Sequence, residues 1–422
     1  MTHEGLQGDF RHLSDEFEDG DFKEFLPFSD LNRWVEENEF LSKAARGVKI
    51  WGRLGNIRAL SFLSYVGPDP EKLYFTGYSH DRLDHSLVVA MTAEEIGKRN
   101  NLDEVSLKYL VVSGLLHDSA MPALGDAAKS VDPENLNEED HWLEAVDDEG
   151  LGFLEKEGLE ISIIADIIKN RGLKGKIIDK SDRIVYTMKD LANVIGLPSS
   201  KINVSPYLIE IRYPLSHHTD IGNIYKDVII DPKKDEIFFS DPNRLGVFLL
   251  LRALMHKNLY MEPTSQGRDL FIASLIKPLY SIDGSKPFSP QTLRKMTDMD
   301  ALGVLAVNYK FPRLSGDWLY TNLTNWHPRY ARCESRQEAE EKAKEIGEHS
   351  LILGIKECRG FETGKEYLTV HRNQVVPFWE ADPGMSHQID GIENDTKGVF
   401  VYYTDINGDA PINELLRTVY PV

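Results

Sequence analysis

The chain has 422 residues with 68 acidic against 48 basic side chains, a formal net charge of −20, which disfavours sequence-independent binding to a nucleic-acid backbone. Its two cysteines, Cys333 and Cys358, form neither a disulfide framework nor a metal-binding spacing. No run approaches the roughly 20 apolar residues that span a bilayer, and the acidic N-terminus lacks the apolar core of a signal peptide. We therefore expect a cytoplasmic protein with no membrane association.

The predicted organisation is a mostly helical core with a smaller second domain. We expect an acidic arm over residues 1–30, a helical core over 31–306 with short strands within about 201–239, and a C-terminal α+β domain over 307–422. Apolar residues at helical spacing predict helices over 82–99, 103–117, 142–156, 160–170, 182–195, 245–259 and 268–280. In the second domain we predict a helix over 336–347 and strands over 351–355, 367–371, 375–379 and 399–403.

Histidine and aspartate residues recur inside or beside the apolar helices of the core. They are His85, the adjacent pair His117 and Asp118, and Asp182. Each has an ordinary explanation when taken alone: a hydrogen-bonded core histidine, a chance dipeptide, or a helix N-cap. Buried charge is costly unless it is paired or binds a metal, so the set together predicts a metal site. Its mixed N/O donors suit one divalent Mn, Fe, Zn, Ni or Co ion per chain, with Mg as an additional candidate.

Cations and hydroxyl groups form a second set in the same predicted helices. It comprises Arg82, Arg183, Tyr186, Arg252 and Tyr260. In so acidic a protein, arginines close to a metal would create a local anion pocket, because the planar guanidinium matches phosphate oxygens. The alternative is that each arginine pairs with a local carboxylate.

With these two sets of residues, the chain resembles the HD superfamily, and within it the dGTP triphosphohydrolase and SAM-and-HD-domain dNTPase branch. Residues 52–60 resemble an early "QRL…I.QL" helix of that branch, and residues 78–90 its "T R.EHS.GV" helix. Residues 182–190 follow its "D(K/R)..Y…D" spacing, and Arg252 with Tyr260 its "R…Y.H" helix. The similarity extends in order from Leu41 to Asp300 and implies a mostly α fold with an HD-domain helical core.

The resemblance implies a role for each matching residue. It supports His85, His117, Asp118 and Asp182 as the metal ligands, and it implies that Arg82, Arg183 and Arg252 contact a triphosphate. Tyr186 would pack on the deoxyribose, Asp190 would accept a hydrogen bond from the 3′-hydroxyl, and Tyr260 would line the sugar pocket. In that branch water attacks the α-phosphorus and releases a nucleoside and tripolyphosphate, and its members form homo-oligomers.

The sequence departs from the branch where protons are transferred. After the His-Asp pair the branch reads "GHxPFGH", whereas Met121 and Asp126 stand at its two histidine positions here. Methionine transfers no protons; Asp126 would do so if burial or a neighbouring carboxylate raised its pKa. His141 stands at the position of the "HE" motif, so His141 and Asp126 are the proton-transfer candidates. Glu262 replaces the histidine of "Y.H", and Gly52 replaces the glutamine of "QRL".

The sequence therefore predicts a metal-dependent phosphohydrolase of a small nucleotide, first of all a deoxynucleoside triphosphate triphosphohydrolase. In this prediction Asp118 belongs to the catalytic centre, and the partners are a small-molecule phosphoester and further copies of the chain. One alternative is an HD phosphohydrolase or phosphodiesterase acting on another nucleotide or phosphoester, suggested by the new carboxylates of Asp126 and Glu262. The other is a nucleotide-binding sensor without turnover, suggested by Met121.

Overall fold

A computed structural model describes residues 37–48, 51–59, 80–195, 221–311, 326–358, 367–405 and 411–420, with a few single positions between them. The predicted acidic arm and the first part of the predicted strand region, up to residue 220, lie outside the described residues. Among the helices that are described, none combines the length and the apolar character needed to cross a lipid bilayer.

A mostly helical core precedes a smaller region of strands and helices, which confirms the predicted fold class. The core helices are α1 (Glu39–Gly47), α2 (Trp51–Leu54), α3 (Arg82–Arg99), α4 (Glu104–Leu116), α5 (Gly125–Lys129), α6 (Glu138–His141), α7 (Asp148–Lys156), α8 (Ile161–Ile168), α9 (Gly172–Ile195), α10 (Pro242–Met255), α11 (Pro263–Ile276), α12 (Pro290–Lys295) and α13 (Asp298–Asn308). Later helices are α14 (Arg336–Gly347), α15 (Phe378–Ala381), α16 (Pro383–Thr396) and α17 (Pro411–Val419).

The described strands form two small sheets. They are β1 (Val228–Asp231), β2 (Glu236–Phe239), β3 (Arg329–Cys333), β4 (Leu351–Cys358), β5 (Leu368–His371), β6 (Gln374–Pro377) and β7 (Gly398–Thr404). One sheet has the order β1-β2-β5-β6, and its parallel β2–β5 pair aligns Phe239 with Thr369. The other is antiparallel with the order β3-β7-β4. Strands from both sides of the predicted boundary at residue 307 therefore share one sheet.

Two buried clusters organise the interior. The larger one packs α1, α3, α4, α8, α9 and α10 together and also takes in Tyr367, Phe378 and Ile389 from the C-terminal part. The second packs α5, α11, α13 and α17 around residues such as Phe271, Leu302 and Leu416. The C-terminal region is thus packed into both clusters.

Local hydrogen bonding explains where several helices begin. Asp81 accepts a hydrogen bond from the backbone N–H of Asp84 at 2.7 Å and starts α3, and Asp103 does the same for Ser106 at the start of α4. The single helix predicted over 142–156 is wrong. A 3₁₀ turn ends at Ala145, Val146 is extended, and Asp147 accepts from the N–H of Gly150 to start α7.

Two further predicted boundaries differ from the structure. The prediction for α9 began at Asp182, but the helix begins at Gly172. The helix predicted over 245–259 ends as an α-helix at Met255 and continues as one π-helical turn, His256–Tyr260. Such turns widen the backbone spiral and are frequent at functional sites.

Helices α3 and α4 can approach closely because Gly114 has no side chain. A Cβ placed on Gly114 would lie 2.6 Å from the Cα of Ala90, far inside contact distance. The two backbones meet there, and the ring centroids of His85 on α3 and His117 at the end of α4 are 5.2 Å apart.

We expect Gly114→Ala to lower the free energy of unfolding by about 1–3 kcal/mol, because the new methyl group forces the two helices apart. Urea denaturation followed by circular dichroism measures this. Gly303→Ala is the matched control: an added Cβ on Gly303 in α13 meets no atom within 4 Å, so the change should be neutral or stabilising by up to about 1 kcal/mol. Equal effects of the two changes would contradict the packing argument.

Candidate metal centre and substrate cavity

Helices α3, α4 and α9 bring the four predicted ligands together. The Nε2 of His85 is 2.9 Å from an Asp182 oxygen and 3.3 Å from the Nε2 of His117. Both imidazole Nε2 atoms are 3.7 Å from the same Asp118 oxygen. These spacings fit donor atoms arranged around one ion about 2.1 Å away. His85, His117 and Asp118 also stand out as a group whose ligand atoms all lie within 4.8 Å of one another.

A hydrogen bond orients His117 in this cluster, and the neighbouring charges shift the pKa values of His117 and Asp118. The Nδ1 of His117 is 2.8 Å from the Gly114 carbonyl, which places the N–H there and turns the Nε2 lone pair toward the cluster. Burial by itself would lower the pKa of His117, but Asp118 and Asp182 outweigh it and raise that pKa to about 9. Burial by itself would raise the pKa of Asp118, but Arg82 and the two imidazoles hold it well below its usual range. The cluster therefore keeps its carboxylates ionised and stabilises positive charge, and both properties favour the binding of a metal cation.

Beside the cluster lies a cavity of about 430 Å³ that includes His85, Asp118 and Asp182 in its lining. Part of the remaining lining is aromatic and hydroxyl-bearing. There the Tyr260 hydroxyl donates a hydrogen bond to Asp190 at 2.5 Å, and the Tyr186 and Tyr260 rings meet edge to face at 5.8 Å. Burial raises the pKa of Asp190 to about 7.

Another part of the lining is charged and includes Arg82, Asp126, Lys129, Glu138 and Lys356. Arg82 donates to Asp118 at 2.6 Å and to the Ala59 carbonyl at 3.0 Å. Lys129 lies 3.1 Å from Asp126 and 3.0 Å from Glu138. An anion bound in the cavity would therefore meet several cationic side chains. Two of them, Arg82 and Lys129, are already paired with carboxylates.

Two of the predicted phosphate contacts, Arg183 and Arg252, form hydrogen bonds with other residues of the protein. Arg252 is buried, and its Nε donates to the Tyr186 hydroxyl at 2.9 Å. The Nε of Arg183 donates to Asp179, one turn earlier on α9, at 2.9 Å. Neither side chain belongs to the described cavity lining, so their contact with phosphate stays a prediction.

The two proton-transfer candidates meet different surroundings from those expected. Lys129 lowers the pKa of Asp126 to about 2, so this carboxylate is ionised at neutral pH and the condition for its acid role is not met. His141 lies outside the described cavity lining, with its Nδ1 2.8 Å from Glu144, which also accepts from Arg294 at 2.6 Å. Met121 lines the cavity and is buried. At residue 126, where the branch has a histidine, this chain has a carboxylate that is paired with Lys129.

Glu262 and Arg53 both form hydrogen bonds that stabilise local structure near the cavity. Glu262 accepts from the N–H of Ser265 at 2.7 Å and caps α11. Arg53 donates to the carbonyls of Ser119 and Met121, and so holds the loop that follows the His-Asp pair.

Several cavity residues were missed by the sequence reasoning. They are His80, Lys129, Glu138, His256, Met261, Gln266, Asp269 and Lys356. Gln266 and Asp269 carried a usable signal, since polar residues three apart on an apolar helix share one face. Lys356 carried none, because only the packing of β4 against α11 brings this strand residue to the cavity.

We expect Asp182→Asn to abolish metal-induced stabilisation of chelator-stripped protein. Free Mn²⁺ at 100 times its Kd stabilises a native state by about 2.7 kcal/mol, which appears as a rise in Tm in thermal denaturation. Asp179→Asn removes the same charge from the same helix, three residues away and outside the cavity lining, and should retain the rise. An equal rise in both variants would contradict the ligand assignment.

Comparison with known proteins gives a match to one family model and a similar fold among solved structures. Residues 82–194 match the model of the HD domain, a span that contains all four predicted ligands. Comparison with curated protein sequences gave no match. Among solved structures, a hypothetical protein from Aquifex aeolicus is similar with a TM-score of 0.60 and 14% identity, over 90% of this chain and 96% of that one.

A phosphohydrolase from Bacteroides thetaiotaomicron is similar with a TM-score of 0.59 and 14% identity, over 86% of this chain and 95% of that one. At this identity the two structures show a shared fold. The domain match, the helical architecture and the His-His-Asp cluster agree with one another. Residues 82–194 of this chain are therefore similar to the HD domain.

Proposed function

We propose that the protein is a metal-dependent phosphohydrolase of nucleotides, with a deoxynucleoside triphosphate as its leading substrate. The observation that carries the proposal is the cluster of His85, His117, Asp118 and Asp182 beside a cavity that also holds Arg82. The similarity of the fold to a phosphohydrolase supports the reaction class.

The residues fit a divalent transition metal, because two imidazole nitrogens and two carboxylates converge within ligand spacing. Such an ion polarises a phosphoryl oxygen and acidifies a water molecule when it is bound. Mn, Fe, Zn, Ni and Co all suit this donor set, with Mg as a further candidate. Arg82, anchored on Asp118 and aimed at the same cavity, would hold the phosphate oxygens in place.

The aromatic part of the cavity is the proposed sugar site. Asp190 and Tyr260 are already hydrogen-bonded to each other, so a sugar hydroxyl placed beside them would meet an acceptor with a fixed orientation. The Tyr186 ring, held by Arg252 through its hydroxyl, would pack on the sugar face. Arg183 and Arg252 remain the proposed contacts of the outer phosphates.

A second candidate substrate follows from the charged part of the lining. Asp126 and Glu138 both pair with Lys129 inside the cavity, which reduces the positive charge that would face a polyanion. This favours a smaller phosphoester, such as a nucleoside monophosphate or a modified nucleotide. The products of the reaction separate the two candidates.

In the presence of Mn²⁺ we expect deoxynucleoside triphosphates to yield a deoxynucleoside and tripolyphosphate, resolved by ion-exchange chromatography. His85→Gln should lower kcat/KM more than about 100-fold, because a lost ligand exceeds the 10–100-fold effect of outer partners. His387→Gln, at an exposed position on α16, is the matched control and should leave it unchanged.

Phosphate or pyrophosphate as the only inorganic product would instead support the second candidate. Tight nucleotide binding without any product, with each of the suitable metals, would support a sensor that does not turn over.

We expect the wild-type protein to prefer a substrate with a 3′-hydroxyl over its 3′-deoxy analogue by about 10- to 100-fold in kcat/KM, the value of one hydrogen bond to a charged group. Asp190→Ala should remove most of this preference, whereas Asp166→Asn, exposed on α8, should preserve it. A preference that survives in Asp190→Ala would place the sugar elsewhere.

A further inference from the structure

Asp269 is a buried carboxyl in the cavity that the proposed function has not used. It lies on α11, is 1% exposed and belongs to the cavity lining. Its Oδ1 atom is buried and has no hydrogen-bond partner among the described residues. Gln266, one turn earlier on the same face, also lines the cavity. A buried polar atom without a partner is costly, so its retention at this cavity indicates an interaction with a ligand.

The surroundings of Asp269 raise its pKa, so that a large fraction of this carboxyl is protonated at neutral pH. Burial raises the pKa of Asp269 to about 7, Lys356 on β4 lowers it, and Asp126 on α5 raises it. The other charged group of α5 that lines the cavity, Lys129, is paired with Asp126 and Glu138. Asp269 therefore exchanges a proton near pH 7, which is the property of an effective general acid.

Other titratable groups of the described lining fit this role less well. Asp126 is ionised, since Lys129 lowers its pKa to about 2. Burial lowers the pKa of His256 to about 3 and that of His80 well below its usual value, so both imidazoles are neutral. Asp190 has one oxygen engaged by the Tyr260 hydroxyl and the other 3.6 Å from His80.

We propose that Asp269, in the wall of the cavity, is the catalytic residue that donates a proton to the leaving oxygen. The proposal rests on the proposed phosphohydrolase function. As the oxygen of water bonds to phosphorus, the bond between phosphorus and the leaving oxygen breaks and its electron pair stays on that oxygen. The Asp269 proton passes to the leaving oxygen, water releases one proton to solvent, and Asp269 regains a proton from solvent.

A substrate whose leaving atom needs no proton tests this role. The comparison uses a deoxynucleoside triphosphate and its analogue in which sulfur replaces the bridging 5′ oxygen, because a thiolate leaves without protonation. Asp269→Asn should lower kcat for the oxygen substrate by about 100-fold or more and for the sulfur substrate by less than about 3-fold. Asp269→Glu, which keeps an acid, should recover part of the loss.

Losses of equal size for the two substrates, or no loss for either, would overturn the proposal. Asp190→Asn is the contrasting variant, since a binding residue should slow both substrates by the same factor. Retained Mn²⁺-induced stabilisation in Asp269→Asn shows that the variant is folded. If the wild-type protein hydrolyses neither substrate, the proposed function itself fails; if it hydrolyses only the sulfur substrate, only the Asp269 role fails.

The pH profile gives a second, independent readout. Because the donor must be protonated, wild-type kcat for the oxygen substrate should fall as pH rises above about 7, near the raised pKa of Asp269. Lys356→Met removes the cation that lowers this pKa, so the fall should move to higher pH. A profile that does not move in Lys356→Met, or a fall that persists in Asp269→Asn, would contradict the assignment.

Discussion

The cost of burying two imidazoles and two carboxylates at one point constrains the rest of the structure. His85 lies on α3, Asp118 follows the end of α4 and Asp182 lies on α9, and burying any one of them without the others would be unfavourable. The helices must therefore approach closely, which Gly114 permits, and Arg82 compensates the charge of Asp118. The proposed metal ion would compensate the remaining carboxylate charge. Residues 82–194, which match the HD domain, thus hold these ionisable groups together at the edge of a cavity.

The cavity beside the cluster is assembled from both buried clusters of the protein. The ligand helices α3, α4 and α9 belong to the larger cluster, whereas α5 and α11 belong to the second. The C-terminal sheet completes the lining by placing Lys356 next to Asp269. Substrate binding and proton transfer are thus proposed to depend on the packing between these parts, so distant substitutions in β4 should affect the reaction.

The sequence predicts which ionisable residues meet in the cluster and part of the cavity lining, but not the residues that complete the cavity wall. His85, His117 and Asp182 were predictable because helical spacing and apolar neighbours make isolated ionisable groups conspicuous. Lys356 was not predictable, because it reaches the cavity only through the packing of β4 on α11, which leaves no periodic trace in the sequence. The helix predicted over 142–156 failed because Asp147 caps a new helix after an extended Val146. Whether Asp126 has an acid role could not be decided without Lys129, whose contact with Asp126 lowers its pKa.

The central claim is that each chain holds one catalytic transition metal, and elemental analysis of the purified protein tests it most directly. Inductively coupled plasma mass spectrometry, after reconstitution with Mn²⁺ or Fe²⁺ and removal of free ions, should give about one metal ion per chain. The same measurement on Asp118→Ala should give close to none, because this change removes a ligand. A wild-type protein without metal after reconstitution would contradict the hydrolytic account.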